Sequence, residues 1–137
     1  ESQVVIIDNG TGYIAFSHFL FLRYTKMGYA GNVEPSHIIP TVLADHLDKE
    51  YNFTKKLTTK GSVQISRLQY DQLDFYIGDE ALKHKDTHNI IYPMRSGTVK
   101  DWEAIEKFWH RCIYQHLKAE PENHVFVLTE PPMNPQI

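Results

Sequence analysis

Asp8-Asn9-Gly10-Thr11-Gly12-Tyr13 closes an apolar run, and Lys26 follows within "TKMGYAG". Two glycines flanking a threonine suit phosphate: without side chains, backbone N–H groups close on its oxygens, and the hydroxyl adds a donor. A carboxylate at a strand end holds Mg2+ through water, because Mg2+ keeps several of its waters. A lysine on the returning chain neutralises phosphate charge. The bland alternative is a hairpin turn with a capping Asp, and this stretch alone favours it. The same letters also admit a second cut. Gly10-Thr11-Gly12-Tyr13-Ile14-Ala15 fits the dinucleotide fingerprint G-x-G-x-x-G/A, the mark of a nicotinamide-dependent oxidoreductase. That cut needs a helix directly after the glycines and then a second parallel strand. Residues 14–24 are apolar nearly all round, however, and Gly-rich "MGYAGN" stands where the strand should begin. Glu34 lies at about the right distance to bind a ribose, but within turn-like "GNVEP".

The remaining reactive side chains carry weaker signals. His84 and His88 are four apart and would share one face of a helix, yet no third ligand stands at a supporting spacing, so a solvated helix end is the better reading. His110 and His116 belong to a long helical pattern, where a core or surface role is the default. Glu103, Glu106, Glu120 and Glu122 read as helix and turn charges. Cys112 falls on an apolar stripe and reads as a buried small hydrophobe. No Walker loop and no Ser/His/Asp order is present.

The elements that must position these residues follow from periodicity. "VVIID" (4–8) is a β-branched apolar run that suits a strand buried on both faces. "TKMGYAG" and "EPSHIIPTVLA" read as two further strands, punctuated by Gly28, Gly31, Pro35 and Pro40. Residues 45–70 are mostly charged and polar and read as a surface excursion. "LDFYIGDEALKHK" predicts a strand turning at Gly78 into a short helix. Within "DWEAIEKFWHRCIYQHLKAEP", Trp102, Ile105, Trp109, Cys112, Ile113, His116 and Leu117 form one helical stripe, with Asp101 as N-cap and Pro121 as the stop. "HVFVLTE" then reads as a buried strand. The order predicts an α/β domain with a small subdomain looped out of it.

Composition sets the bounds. A chain of 137 residues is the size of one ordinary domain, and 42% hydrophobic residues suffice for a core. A net charge of -3 provides no basic field for nucleic acid. The longest apolar run is eleven residues and includes Ser17, His18 and Arg23, short of the roughly 20 that a membrane span needs. A single cysteine precludes an internal disulfide and points to a reducing compartment. Both ends read as cut, so the chain is expected to be the first part of a longer protein.

Taken together and in order, "DNGTGY", "TKMGYAGN", "IIPT", "IGDEA", "YPMRSGTVKDWEAIEKFW" and "LKAEPENHVFVLTEPPMN" resemble the start of the actin family. The resemblance covers nearly the whole chain apart from residues 14–24 and most of 45–70. It implies an actin-like ATPase fold of the ribonuclease H-like kind, two lobes around a cleft, of which this chain supplies the opening part. It assigns residues 1–40 and 93–137 to a first subdomain and 41–92 to a small second one. Asp8, Gly10, Thr11, Gly12, Tyr13 and Lys26 match the family's first phosphate loop, with Asp8 on the metal side, and ATP and Mg2+ are the implied ligands. "GTGYTK", "LDFYIGDEA" and "AEPENHVFVLTEPPMN" resemble an actin-related branch more than conventional actin, whereas "DNG" is closer to the latter. The branch implies actin and the other subunits of an actin-nucleating complex as partners, in the cytoplasm and cytoskeleton; conventional actin implies a self-polymerising subunit. Ser96 stands where the family commonly has a His, which puts any role of that His in doubt here.

Residues 14–24 interrupt the match between Tyr13 and Thr25, inside a hairpin that normally turns in two to five residues. Two origins fit. The codons suit a short intron carried into the translation, with the frame preserved, or the segment is a genuine insertion that reshapes nucleotide binding. Tyr13 and Tyr24 are interchangeable as the family tyrosine, so the edges of the segment shift by one residue.

Overall fold

The computed structural model describes residues 3–10, 23–51 and 70–133. Thr11, Gly12, Tyr13, residues 14–22 of the interrupting segment and residues 52–69 of the polar excursion lie outside the described residues.

The first strand, β1 (Gln3–Asn9), alternates strictly: Val5, Ile7 and Asn9 point into the core, Ile6 and Asp8 to the other face. It pairs antiparallel with β2 (Tyr24–Tyr29), which in turn pairs antiparallel with β3 (His37–Pro40). Strand β9 (His124–Leu128) lies parallel to β1, which gives a mixed sheet in the order β3-β2-β1-β9 among the described residues. The antiparallel return of β2 overturns the dinucleotide reading, which requires a parallel strand after a crossover helix.

The stretch 37–46 divides between two sheets. After Pro40 the chain turns through Thr41 and enters β4 (Leu43–His46), the centre of a second sheet between β5 (Phe75–Ile77) and β6 (His88–Ile91). "EPSHIIPTVLA" is therefore two strands: the Thr41 N–H still reaches the Arg23 carbonyl at 2.7 Å, and the Val42 N–H then folds back onto the Pro40 carbonyl at 2.9 Å. Strand β5 runs at Gly78 into helix α1 (Gly78–Lys83), as expected. Gly78 has φ 63°, and a Cβ there would meet Ile39 Cγ2 at 2.5 Å, so only glycine fits. His84 caps α1 while His88 belongs to β6, so the two histidines do not share a helix face. A hairpin of β7 (Met94–Arg95) and β8 (Thr98–Val99), which sequence periodicity missed, turns on Ser96 and Gly97, both at positive φ.

Helix α2 (Trp102–Arg111) starts on Asp101, whose carboxylate accepts the Ala104 N–H at 3.0 Å. Its buried face carries Ala104, Ile105, Lys107 and Phe108, while Trp102 is 56% exposed, so the stripe is rotated from its expected position. The helix widens into a π-helical turn, Cys112–Leu117, and ends at left-handed Lys118, three residues before Pro121. Cys112 is fully buried, as its place on the stripe predicts.

One apolar cluster joins the two sheets to the helix: Val5, Ile7 and Met27 from the first sheet, Leu43 and Phe75 from the second, Ile105 and Phe108 from α2. The opposite face of the first sheet has no such cover among the described residues. Ile6 is 39% exposed, Val125 53% and Val127 45%, so neither β1 nor β9 is buried on both faces here.

Candidate functional site

Parallel strands deliver ligands to their carboxyl ends. The ends of β1 and β9 lie together, since Ile7 is in register with Leu128, and the residues that follow converge. Thr129 donates its hydroxyl to Asp8 Oδ1 at 2.6 Å, and its N–H reaches the Ile7 carbonyl at 3.3 Å. Asp8 is thereby held in one orientation at the edge of the sheet.

Across the ladder, Asp8 pairs in register with Lys26, which puts both side chains on the same, outward face. They form no ion pair with each other, and Lys26 is exposed. A lysine in this position keeps its charge available to an anion. A cavity of about 260 Å3 opens beside them, lined by Asp8, Lys26, Ile6, Gly28, Asn32 and Glu34 among others.

Gly10 takes part in the ladder itself. Its N–H donates to the Tyr24 carbonyl at 3.2 Å, extending the β1–β2 ladder by one step. A Cβ at Gly10 would come within 2.9 Å of that carbonyl, so glycine is required for strand approach. Thr11, Gly12 and Tyr13, the other residues of the expected loop, lie outside the described residues.

Beneath the site runs a buried polar chain that sequence reasoning did not find. Asn9 Oδ1 accepts from Trp109 Nε1 at 3.1 Å and from Thr25 Oγ1 at 3.3 Å, and Thr25 Oγ1 contacts Thr41 Oγ1 at 2.8 Å. Asn9 alternates inward from Asp8, so the strand that presents the carboxylate outward fastens itself to α2 inward. Part of the signal was present: Asn at an inward position of an apolar strand needs a partner, and Trp109 is one of two indoles on the expected stripe. Thr129 was equally findable as the residue ending a strand parallel to β1.

The histidines assemble elsewhere. His46 and His88 approach Asp74 at 3.7 and 3.1 Å, and His84 stacks on Tyr76 at 3.7 Å between ring centroids. No group among the described residues has the geometry of a metal site. Nor is any helix among them long and apolar enough to cross a membrane.

Three relatives frame this geometry. The family model described as Actin matches residues 1–137. Actin-related protein 3 of Oryza sativa subsp. indica is 44% identical over 136 residues, covering 96% of this chain and 29% of the relative. Actin-related protein 3 of Caenorhabditis elegans is 43% identical over 132 residues, covering 94% and 27%. Actin-related protein 3 of Dictyostelium discoideum is 40% identical over 130 residues, covering 95% and 26%. The chain spans less than a third of the length of these curated relatives.

Proposed function

The chain belongs to the actin family, and on that premise we propose that its β1–β2 hairpin is the first phosphate loop of an ATP-binding cleft. Asp8 holds Mg2+ through water, Lys26 meets the phosphates, and Thr11, Gly12 and Tyr13 supply the turn between them. The observation that carries this reading is the registered Asp8–Lys26 pair on the exposed face, with Asp8 oriented by Thr129 at the carboxyl ends of two parallel strands. ATP, when bound, supplies a polyanion whose state reports on cleft closure, more a conformational cofactor than a metabolic substrate. This chain's residues contribute anchorage of its charge and metal; the attacking water is positioned by parts of the fold outside this stretch.

In the whole protein the proposed role is that of an actin-related subunit, cytoplasmic and cytoskeletal, paired with a second actin-related subunit in the complex that nucleates branched actin filaments. The name shared by the relatives supports this over a self-polymerising conventional actin. Residues 1–40 and 93–137 then form the first subdomain, and 41–92 the second.

The test is Mg2+-dependent ATP binding by the full-length protein. Lys26→Ala should weaken it by roughly tenfold or more, the worth of a charge-assisted contact, and Asp8→Asn should reduce its dependence on Mg2+. Unchanged affinity in both variants, with melting temperatures preserved, would remove the hairpin from the nucleotide site.

A further inference from the structure

Asn9 and Gly10 form the one Asn-Gly dipeptide in the sequence. An asparagine before glycine carries its own reaction. The backbone nitrogen of the next residue attacks the side-chain carbonyl carbon, and glycine, lacking a Cβ, leaves that approach open. The other asparagines precede Val33, Phe53, Ile90, His124 and Pro135, whose side chains crowd the nitrogen or, in proline, take the place of its proton.

The structure keeps the two reacting groups occupied. Asn9 is 8% exposed, and its Oδ1 accepts from Trp109 Nε1 at 3.1 Å and from Thr25 Oγ1 at 3.3 Å. Thr25 gives its one hydroxyl proton to Asn9, so Thr41 donates in the 2.8 Å contact between the two hydroxyls. The amide is thus fixed by two donors, one of them braced in turn by a third. The Gly10 N–H is engaged as well, with the Tyr24 carbonyl at 3.2 Å. Attack requires Asn9 to turn away from Trp109 and Thr25, and Gly10 to leave Tyr24. Ladder ends open in this way at a lower free energy than the whole fold.

We propose that Asn9 is a self-modification site that the fold keeps closed and that reacts when the end of the β1–β2 ladder opens. On opening, the Gly10 nitrogen gives up its proton and bonds to Asn9 Cγ as the Cγ–Nδ2 bond breaks. Nδ2 leaves with that proton as ammonia. The five-membered imide then takes up water at either carbonyl, giving aspartate or isoaspartate; nothing is oxidised or reduced. Aspartate sets a second carboxylate next to Asp8, on the inward face. Isoaspartate routes the backbone through the side chain and lengthens it by one carbon, which displaces Gly10 from Tyr24. The second product therefore holds open the end whose opening produced it, a one-way record written in covalent bonds. It forms whatever the neighbouring hairpin binds, and so does not rest on the phosphate reading.

The experiment ages the full-length protein at mildly alkaline pH, folded and in urea. It follows the mass gain of deamidation at each asparagine of this stretch, with isoaspartate read by enzymatic methylation. Asn9 should react at least roughly tenfold more slowly in the folded protein than in urea, because the reaction waits on local opening. Asn32, exposed but followed by valine, should stay unmodified in both. Trp109→Phe and Thr25→Val each remove one donor to Asn9. They should speed the folded reaction in step with faster amide exchange at Gly10, and Asn9→Gln, which would have to close a larger ring, should abolish it. Equal Asn9 rates folded and in urea would overturn the proposal. So would an unreactive Asn9 in urea, modification at Asn32 ahead of Asn9, or quicker exchange at Gly10 without quicker deamidation.

Discussion

His116 illustrates how a single side chain ties stability to pH. Burial holds its imidazole below the ordinary value near 6.5, neighbouring His37 pushes the same way, and Glu80 opposes them. The rings of His37 and His116 meet edge-on at 5.6 Å between centroids, joining β3 to the π-helical turn. A lowered folded value means the unfolded chain binds more protons just below pH 6.5. Stability is therefore full above that pH and declines as pH falls toward the folded value. Melting at pH 5.5 should be lower than at 7.5, and His116→Gln should narrow the gap; an unchanged gap would refute the assignment. Lys107 poses a different problem, since a buried ammonium needs partners. It finds Asp45 Oδ2 at 2.8 Å and Glu103 Oε1 at 3.5 Å. Lys107→Met should cost about 3 kcal/mol in urea unfolding, as breaking a buried pair does. The Lys107→Met/Asp45→Asn double variant should recover part of it, and simple additivity would show that the two residues are not coupled. At this scale the sequence was informative where a residue acts within its own element, as with the Asp101 cap and buried Cys112. It was silent on Lys107, because a lysine on an apolar face reads as an intruder until the strand bearing Asp45 is placed beside it.

Among the elements, the end of the long helix departs most from the pattern. Widening to a π-turn lets the N–H groups of Lys118 and Ala119 both reach the Ile113 carbonyl, and the Tyr29 hydroxyl donates to the Leu117 carbonyl at 3.1 Å. Pro121 suggested where the helix had to be over, but the chain leaves earlier, where Lys118 adopts φ 52°. A left-handed lysine costs about 1 kcal/mol that glycine would not incur. Lys118→Gly should thus raise the melting temperature by a few degrees; a decrease would mean that the lysine side chain contributes more than its backbone costs. Strand existence was legible from β-branched runs and Gly/Pro punctuation, which placed β1, β2, β5 and β9. The two-residue strands β7 and β8 are too short to show alternation, and the break at Thr41 depends on pairing with partners that no local pattern names.

For the whole molecule, the family was readable because several blocks keep one order along the chain, and the match over residues 1–137 agrees. Burial was not readable in the same way. Continuous apolar runs in β1 and β9 predicted cover on both faces, and the described residues provide it on one. At the candidate site the sequence named Asp8, Gly10 and Lys26 by type and spacing, whereas the Asp8–Lys26 pairing and the Gly10 hydrogen bond to Tyr24 follow from register, which no local pattern states.

The parallel pairing of β1 with β9 also has a consequence in time. The Thr129–Asp8 hydrogen bond spans 121 residues of sequence. Contacts this distant are slow to form, because the intervening chain must be ordered before they contribute. During synthesis, β1, β2 and β3 can assemble as a meander long before β9 leaves the ribosome. The carboxylate of the proposed metal site would then gain its orienting hydroxyl only once β9 has paired with β1. Thr129→Val should accordingly speed unfolding and leave the folding rate nearly unchanged. A slowed folding rate would instead place this long-range pairing at the start, making the nascent chain wait for β9 before the strands ahead of it can hold.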